Sequence, residues 1–129
     1  MKADVQILDH LFATIHSRRG ADPDQSYTAK LLARGVAQCA KKLGEEGVEA
    51  ALAAVAGDPK EVIAESADLL YHLLVVWEAT GVTPTDVYAE LLRREGTSGV
   101  EEKAVRRHTV SARQAPFIAC RRVLRADPT

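Results

Sequence analysis

The sequence is poor in aromatic residues and carries almost no net charge. Phenylalanine, tryptophan and tyrosine make up 5% of the 129 residues, and the formal net charge is -1. Proteins that bind single-stranded nucleic acid stack bases on aromatic side chains, and nucleic-acid-binding domains are in general strongly basic. The composition therefore does not favour nucleic acid as a partner.

Several motifs of catalytic and membrane proteins are also absent. The two cysteines, Cys39 and Cys120, form no C-x-x-C zinc motif and are typical of free thiols in a reducing cytosol. No glycine-rich P-loop occurs, which argues against kinase-like chemistry. We expect no signal peptide, and the longest apolar run, near residues 69–77, is too short to cross a bilayer. A cytoplasmic protein without membrane contact is therefore expected.

Apolar residues recur instead at the three- and four-residue spacing of amphipathic helices, and no stretch of useful length alternates as a strand does. This pattern, with proline near helix starts and glycine at helix ends, predicts helices over residues 3–18, 29–34, 36–56, 59–80, 84–95 and 100–107. The predicted fold class is all-α: one antiparallel helical bundle in residues 1–107. Residues 108–129 are interpreted as a basic C-terminal tail that is ordered only in part.

Two acidic clusters stand out among these helices. The first reads E-E-x-x-E and contains Glu45, Glu46 and Glu49; the second reads E-x-x-D and contains Glu65 and Asp68. On a helical wheel each cluster forms one polar stripe, the first spanning about 100°. The second helix is otherwise apolar almost all round, so we expect it to be buried on most sides, with help from a second subunit. A carboxylate in such a place needs a partner or a metal, because burying a bare charge is very costly.

The spacing of the clusters indicates that they face each other. Glu49 lies eight positions before the glycine of the predicted Gly57-Asp58 turn, and Glu65 lies eight positions after it. At about 1.5 Å per residue, both are about 12 Å from the turn in an antiparallel pair. Ligation by oxygen alone favours magnesium, or manganese, over iron or zinc. The alternative interpretation is a solvated acidic face.

Basic residues on several predicted helices could hold phosphate oxygens, although each alone also fits a solvated side chain. Together with a carboxylate site for magnesium, they suggest a polyphosphate substrate and direct attack by a metal-activated water, with one carboxylate accepting the proton. The basic candidates for phosphate contact are Lys30, Arg34, Lys42, Lys103 and Arg107.

Several separate stretches, in the same order, resemble one known family. They read S-Y-T-A-K-L at residues 26–31, K-L-G-E-E at 42–46, E-S-A-D-L-L-Y-H-L-L at 65–74 and G-T-S-G at 96–99. With the acidic pattern, they resemble the all-α, MazG-like nucleoside triphosphate pyrophosphohydrolases. The finer likeness, over roughly residues 5–107, is to the phosphoribosyl-ATP pyrophosphohydrolases of histidine biosynthesis. The tail beyond residue 107 extends past that likeness.

The resemblance implies a magnesium enzyme that converts phosphoribosyl-ATP and water to phosphoribosyl-AMP and pyrophosphate, and that works as a homodimer or a larger assembly. It implies that Lys30 and Lys42 contact phosphate, that Tyr27 and the segment from Lys103 to Arg107 are further substrate candidates, and that His72 packs beside the site. The implied metal ligands, one of which could be the base, are Glu45, Glu46, Glu49, Glu65 and Asp68.

Two other functions remain open at this point. The first is a housecleaning pyrophosphohydrolase of the same fold that acts on free nucleotides. The second is a non-catalytic helical dimerisation module with merely solvated acidic faces.

Overall fold

The computed structural model describes residues 2–109, and every regular element within that range is a helix. The all-α prediction is thus confirmed, although the first helix begins four residues later than predicted and the sixth extends to residue 109. Residues 110–129 of the predicted tail, with Cys120, lie outside the described residues. The helices are α1 (Ile7–Ser17), α2 (Tyr27–Arg34), α3 (Val36–Ala56), α4 (Pro59–Thr80), α5 (Pro84–Arg94) and α6 (residues 99–109).

A tight turn joins the two long helices, α3 and α4. Gly57 ends α3 in the left-handed conformation, with φ of 76°, which glycine adopts without steric cost. Asp58 then caps α4, because its Oδ1 accepts a hydrogen bond from the Lys60 backbone N–H at 3.0 Å. Pro59 occupies the first helical position, where no backbone N–H is needed. The chain therefore reverses in two residues, and α3 and α4 make the most extensive helix pair of the structure.

The core lies around the second half of α4. Leu74 and Val75 are completely buried there, and they pack with side chains from the three other helices of the first unit. The partners that complete this buried cluster are Ile15 of α1, Leu31 of α2 and Cys39 of α3. Burial raises the pKa of the Cys39 thiol, so this cysteine behaves as a small apolar core residue. No helix within residues 2–109 is long and apolar enough to cross a membrane.

The chain forms two compact units, Met1–Tyr88 and Ala89–Thr129. In the second unit a buried carboxylate links the end of α5 to α6. Glu102 is 5% exposed, and its two oxygens accept hydrogen bonds from Arg93 Nη2 at 2.9 and 2.8 Å. Arg94 Nε lies 3.5 Å from the same carboxylate. Buried charge is tolerated here because it is paired.

The burial of α4 on most sides, predicted with help from a second subunit, is incomplete in the single chain. Ile63 is 71% exposed and Leu70 is 42% exposed, and they lie seven residues apart on one face of α4. The neighbouring helix α3 leaves a second apolar stripe open, with Val48, Leu52 and Val55 at 59%, 63% and 88% exposure. The other helices of this unit cover only part of the hairpin, so both stripes remain in contact with solvent.

Glu78 anchors the C-terminal end of α4 to α1 and to the loop that follows it. Its side chain is 7% exposed and accepts hydrogen bonds from Arg19 Nε at 2.7 Å and from His16 Nδ1 at 3.0 Å. Arg19 Nη2 also donates to the Glu78 backbone carbonyl at 2.6 Å. Burial pushes the pKa of the Glu78 carboxyl up, but the hydrogen bonds from Arg19 and His16 outweigh burial and hold that pKa below its ordinary value.

We expect Glu78→Gln to lower the free energy of unfolding by about 1–3 kcal/mol at neutral pH, because it removes a buried, charge-assisted hydrogen-bond acceptor. A depressed pKa in the folded state stabilises the protein above the pKa of the unfolded carboxyl, and this stabilisation disappears as the pH falls through the folded value. Urea denaturation of wild type and variant should therefore show a difference that shrinks below about pH 4.

The matched control is Glu95→Gln, because Glu95 is exposed. Its effect on unfolding should stay within about 0.5 kcal/mol. A Glu78→Gln difference that is the same at acid and neutral pH would show that the Glu78 charge does not contribute.

Candidate active site

Three carboxylates from the paired helices α3 and α4 come together. One oxygen from each of Glu46, Glu49 and Glu65 lies within 4.8 Å of the other two. Glu46 and Glu49 stand about one turn apart on α3, so they share a face of that helix. The predicted register of the two acidic clusters is thus confirmed for these three residues.

The electrostatics of this carboxylate cluster (Glu46, Glu49 and Glu65) are unfavourable without a cation. The negative charge of Glu46 raises the pKa of the Glu49 carboxyl, and burial and Glu65 raise it further. Glu65 Oε2 is buried and has no hydrogen-bond partner within residues 2–109. Unpaired, mutually repelling oxygens of this kind fit a hard divalent cation, which oxygen ligands bind and whose charge would offset theirs.

Two predicted ligands lie outside this group of three. Glu45 is paired with a lysine instead, because Lys42 Nζ lies 2.8 Å from Glu45 Oε2 and holds the pKa of Glu45 below its usual range. The same ammonium lies 3.4 Å from Glu46 Oε1, and its carboxylate neighbours raise the Lys42 pKa above its ordinary value. Lys42 therefore touches the edge of the carboxylate cluster, as a phosphate-binding residue would. The second predicted ligand outside the cluster, Asp68, is exposed on α4, and neither of its carboxylate oxygens joins the cluster.

An aromatic group borders the cluster on the side of α2. The Tyr71 ring meets the His72 ring edge to face, with centroids 4.9 Å apart, and Tyr27 makes a similar contact with His72 at 6.2 Å. His72 is 6% exposed, and its Nδ1 lies 4.0 Å from Glu46 Oε1. His72 thus packs directly against the site, as the family resemblance implied. Burial of the Tyr71 hydroxyl raises its pKa, while a hydrogen bond with Thr28 partly opposes that effect.

The remaining basic candidates are spread over two helices. Lys30 and Arg34 are exposed on α2 and form no ion pair within the described part of the chain. Lys103 and Arg107 are exposed on α6, in the second compact unit. Sequence reasoning did not predict the bond between Thr28 and Tyr71, because those residues lie 43 positions apart and neither has a distinctive pattern.

A separate cavity of about 640 Å³ lies at the opposite end of α4. Its walls include Phe12, His16, Arg19, Glu78 and Pro84, and none of the predicted site residues lines it. No sequence pattern indicates this cavity, because its lining comes from α1, the end of α4, the start of α5 and the loops that follow α1 and α4.

Comparison with known proteins gives a single consistent family. The chain matches the family profile described as "Phosphoribosyl-ATP pyrophosphohydrolase" over residues 8–95, a range that contains the carboxylate cluster, Lys42 and His72. The curated relatives include a "Phosphoribosyl-ATP pyrophosphatase" of Parvibaculum lavamentivorans, 61% identical over 82% of this chain and 97% of the relative.

Two further relatives carry the same name. The protein of Paramagnetospirillum magneticum is 55% identical over 82% of this chain and 97% of its own length. That of Azospirillum brasilense is 52% identical over 82% of this chain and 96% of its own length. The profile match and these identities agree with the acidic cluster on α3 and α4, and the chain therefore belongs to the phosphoribosyl-ATP pyrophosphohydrolase family.

Proposed function

We propose that this protein hydrolyses phosphoribosyl-ATP to phosphoribosyl-AMP and pyrophosphate, the second step of histidine biosynthesis, in the cytoplasm. Family membership and the names of close relatives support this activity. The single observation that carries it is the carboxylate cluster with the unpaired Glu65 oxygen, because a polyphosphate substrate needs a cation to offset its charge.

Glu46, Glu49 and Glu65 would hold Mg²⁺, or Mn²⁺ in its place, with Glu45 and Asp68 as further ligands within one turn of these residues. When bound, the cation would offset negative charge on the phosphate oxygens and make a coordinated water more acidic. The donor set supports magnesium because it is made of oxygen alone. Removal of divalent cations by a chelator would then abolish turnover.

Other steps, proton acceptance and substrate binding, would be carried out by side chains of the protein. One carboxylate of the site, unligated or shared with the cation, would accept the proton of the attacking water. Lys42 already lies between Glu45 and Glu46, where it can turn to a phosphate oxygen once a cation shares the Glu46 charge. Tyr27, Lys30 and Arg34 on α2 would contact the rest of the nucleotide, and Lys103 and Arg107 on α6 are further candidates for phosphate contact.

The substrate is tested by a panel. Pyrophosphate release, measured with purified full-length protein and magnesium, should be at least tenfold more efficient with phosphoribosyl-ATP than with any canonical dNTP, because family membership points to that substrate. Equal or faster release from dNTPs would support the housecleaning alternative. No release from any nucleotide would support a non-catalytic helical module.

The carboxylate cluster is tested by Glu65→Gln, which keeps the shape of the side chain and removes its charge. We expect magnesium affinity, measured by calorimetry, to fall about 10–100-fold, and turnover to fall at least as much. The matched control is Glu61→Gln, one turn earlier on α4 and exposed. Equal losses in both variants would mean that Glu65 has no special role in metal binding.

We further propose that two copies of the chain form a homodimer through the apolar stripes of α3 and α4. The two stripes contain five large apolar side chains that are 42–88% exposed, and monomeric proteins rarely leave so much apolar surface exposed. A second hairpin packed on the first would complete a four-helix arrangement, the usual way in which helices bury such stripes. The side chains concerned are Val48, Leu52, Val55, Ile63 and Leu70.

Leu52→Lys should dissociate this dimer, because a lysine at the centre of an apolar interface would have to be buried without a partner. Sedimentation velocity should show a dimer for the wild type and a monomer for the variant at the same concentration. The control is Leu92→Lys on α5, 70% exposed and outside the two stripes, which should remain dimeric. A monomeric wild type at working concentration would refute the proposal.

A further inference from the structure

Two buried side-chain atoms within residues 2–109 have no hydrogen-bond partner: Glu65 Oε2 and His72 Nε2. Leaving such an atom unpaired is unfavourable, so each one calls for a physical explanation. A bound cation accounts for the Glu65 oxygen. The imidazole nitrogen of His72 is not explained by the metal site, because the other nitrogen of the ring is the one that faces Glu46.

The hydrogen bond made by His72 Nδ1 determines which kind of partner the unpaired Nε2 requires. Nδ1 lies 2.9 Å from the backbone carbonyl oxygen of Asp68, one turn earlier on α4. A carbonyl oxygen can only accept a hydrogen bond, so Nδ1 carries the hydrogen. In the neutral ring, Nε2 then has a lone pair and no hydrogen. The missing partner must therefore be a hydrogen-bond donor.

His72 lies beside the carboxylate cluster. It follows Glu65 by seven residues, which places it on the same face of α4 and about 10 Å further along the helix. Glu46 bridges the two positions, because one of its oxygens belongs to the cluster and its Oε1 lies 4.0 Å from His72 Nδ1. A nucleotide whose phosphates are held at the cluster would extend its next group, the sugar, along α4 toward His72.

We propose that His72 Nε2 accepts a hydrogen bond from a sugar hydroxyl of the bound nucleotide, and so acts as a specificity-determining residue that selects ribose over deoxyribose. The inference rests on the proposed function. Ionised phosphate oxygens have no hydrogen to donate, whereas a sugar hydroxyl has one. The selection follows because a substrate without that hydroxyl leaves the buried nitrogen unpaired.

The aromatic neighbours of His72 suit this role. The half-buried side chain of Tyr71, held by Thr28, packs edge to face against the imidazole ring. Tyr27 is 52% exposed and packs against the same ring. The ring is thus held by Tyr71 and by the Asp68 carbonyl, and an exposed tyrosine lies on another side of it.

Two substitutions separate the two nitrogens of the ring. His72→Asn places an amide near the Nδ1 position, where it can keep the bond to the Asp68 carbonyl, and leaves nothing at Nε2. His72→Gln places its amide near the Nε2 position, where its oxygen can accept from a hydroxyl. Pyrophosphate release is measured for both variants with phosphoribosyl-ATP and with its analogues built on 2′-deoxy-ATP and 3′-deoxy-ATP.

The wild type should lose about tenfold or more in kcat/KM on one of the two deoxy analogues. His72→Asn should lose that preference, with ribo and deoxy substrates within about twofold of each other, and His72→Gln should retain it in part. A merely structural role would give the opposite order, because only the asparagine variant preserves the bond to the helix backbone. Thermal unfolding of both variants checks that each is folded.

Direct binding makes this test independent of turnover. Calorimetric titration of AMP, 2′-deoxy-AMP and 3′-deoxy-AMP into wild type and both variants should show the same preference and the same loss in His72→Asn. A preference that survives in His72→Asn at both hydroxyl positions would overturn the role of His72, even if pyrophosphate release is observed. Absence of pyrophosphate release, together with a His72-dependent preference in binding, would refute the proposed function alone.

Discussion

The pairing of α3 and α4 is the constraint on which the site depends. The carboxylate cluster takes Glu46 and Glu49 from α3 and Glu65 from α4, and antiparallel pairing at the observed register brings one oxygen of each within 4.8 Å of the others. That register is set by the two-residue turn, in which Gly57 takes a left-handed conformation and Asp58 caps the next helix. The turn therefore contributes to the chemistry although it touches no substrate.

The helix α4 combines roles that conflict energetically. Its second half supplies Leu74 and Val75 to the core, whereas its first half bears the unpaired oxygen of Glu65. Packing around the core and the anchor at Glu78 fix the helix firmly enough to hold an unfavourable group in position. Proteins commonly accept such local destabilisation at functional sites, where a ligand later relieves it.

Much of this arrangement was predictable from sequence because it follows from local signals. Helix limits follow from glycine, proline and capping residues, and the facing of Glu49 and Glu65 follows from counting residues on either side of one turn. The pairing of Glu45 with Lys42 was harder to foresee, because Lys42 lies within one helical turn of both Glu45 and Glu46 and could pair with either carboxylate. His72 could be placed beside the site from its position on the wheel, but its unpaired nitrogen is visible only with surrounding atoms present.

Other features depend on long-range packing that periodicity does not describe. The apolar character of α4 predicted burial on most sides with help from a second subunit, and Ile63 is 71% exposed in the single chain, because hydrophobicity does not say which molecule covers a face. Arg19 and His16 donate hydrogen bonds to Glu78, which lies about sixty positions later in the chain, and no local sequence pattern predicts contacts over such a separation.

The proximity of Glu46, Glu49 and Glu65 bears on the thermal stability of the folded protein. A cation that binds these residues only when they are assembled stabilises the native state by mass action, in proportion to the logarithm of its concentration. If the cluster binds a divalent cation as proposed, the melting temperature of this protein would depend on the divalent ions of the solution. A chelating buffer would then lower it without altering a single residue.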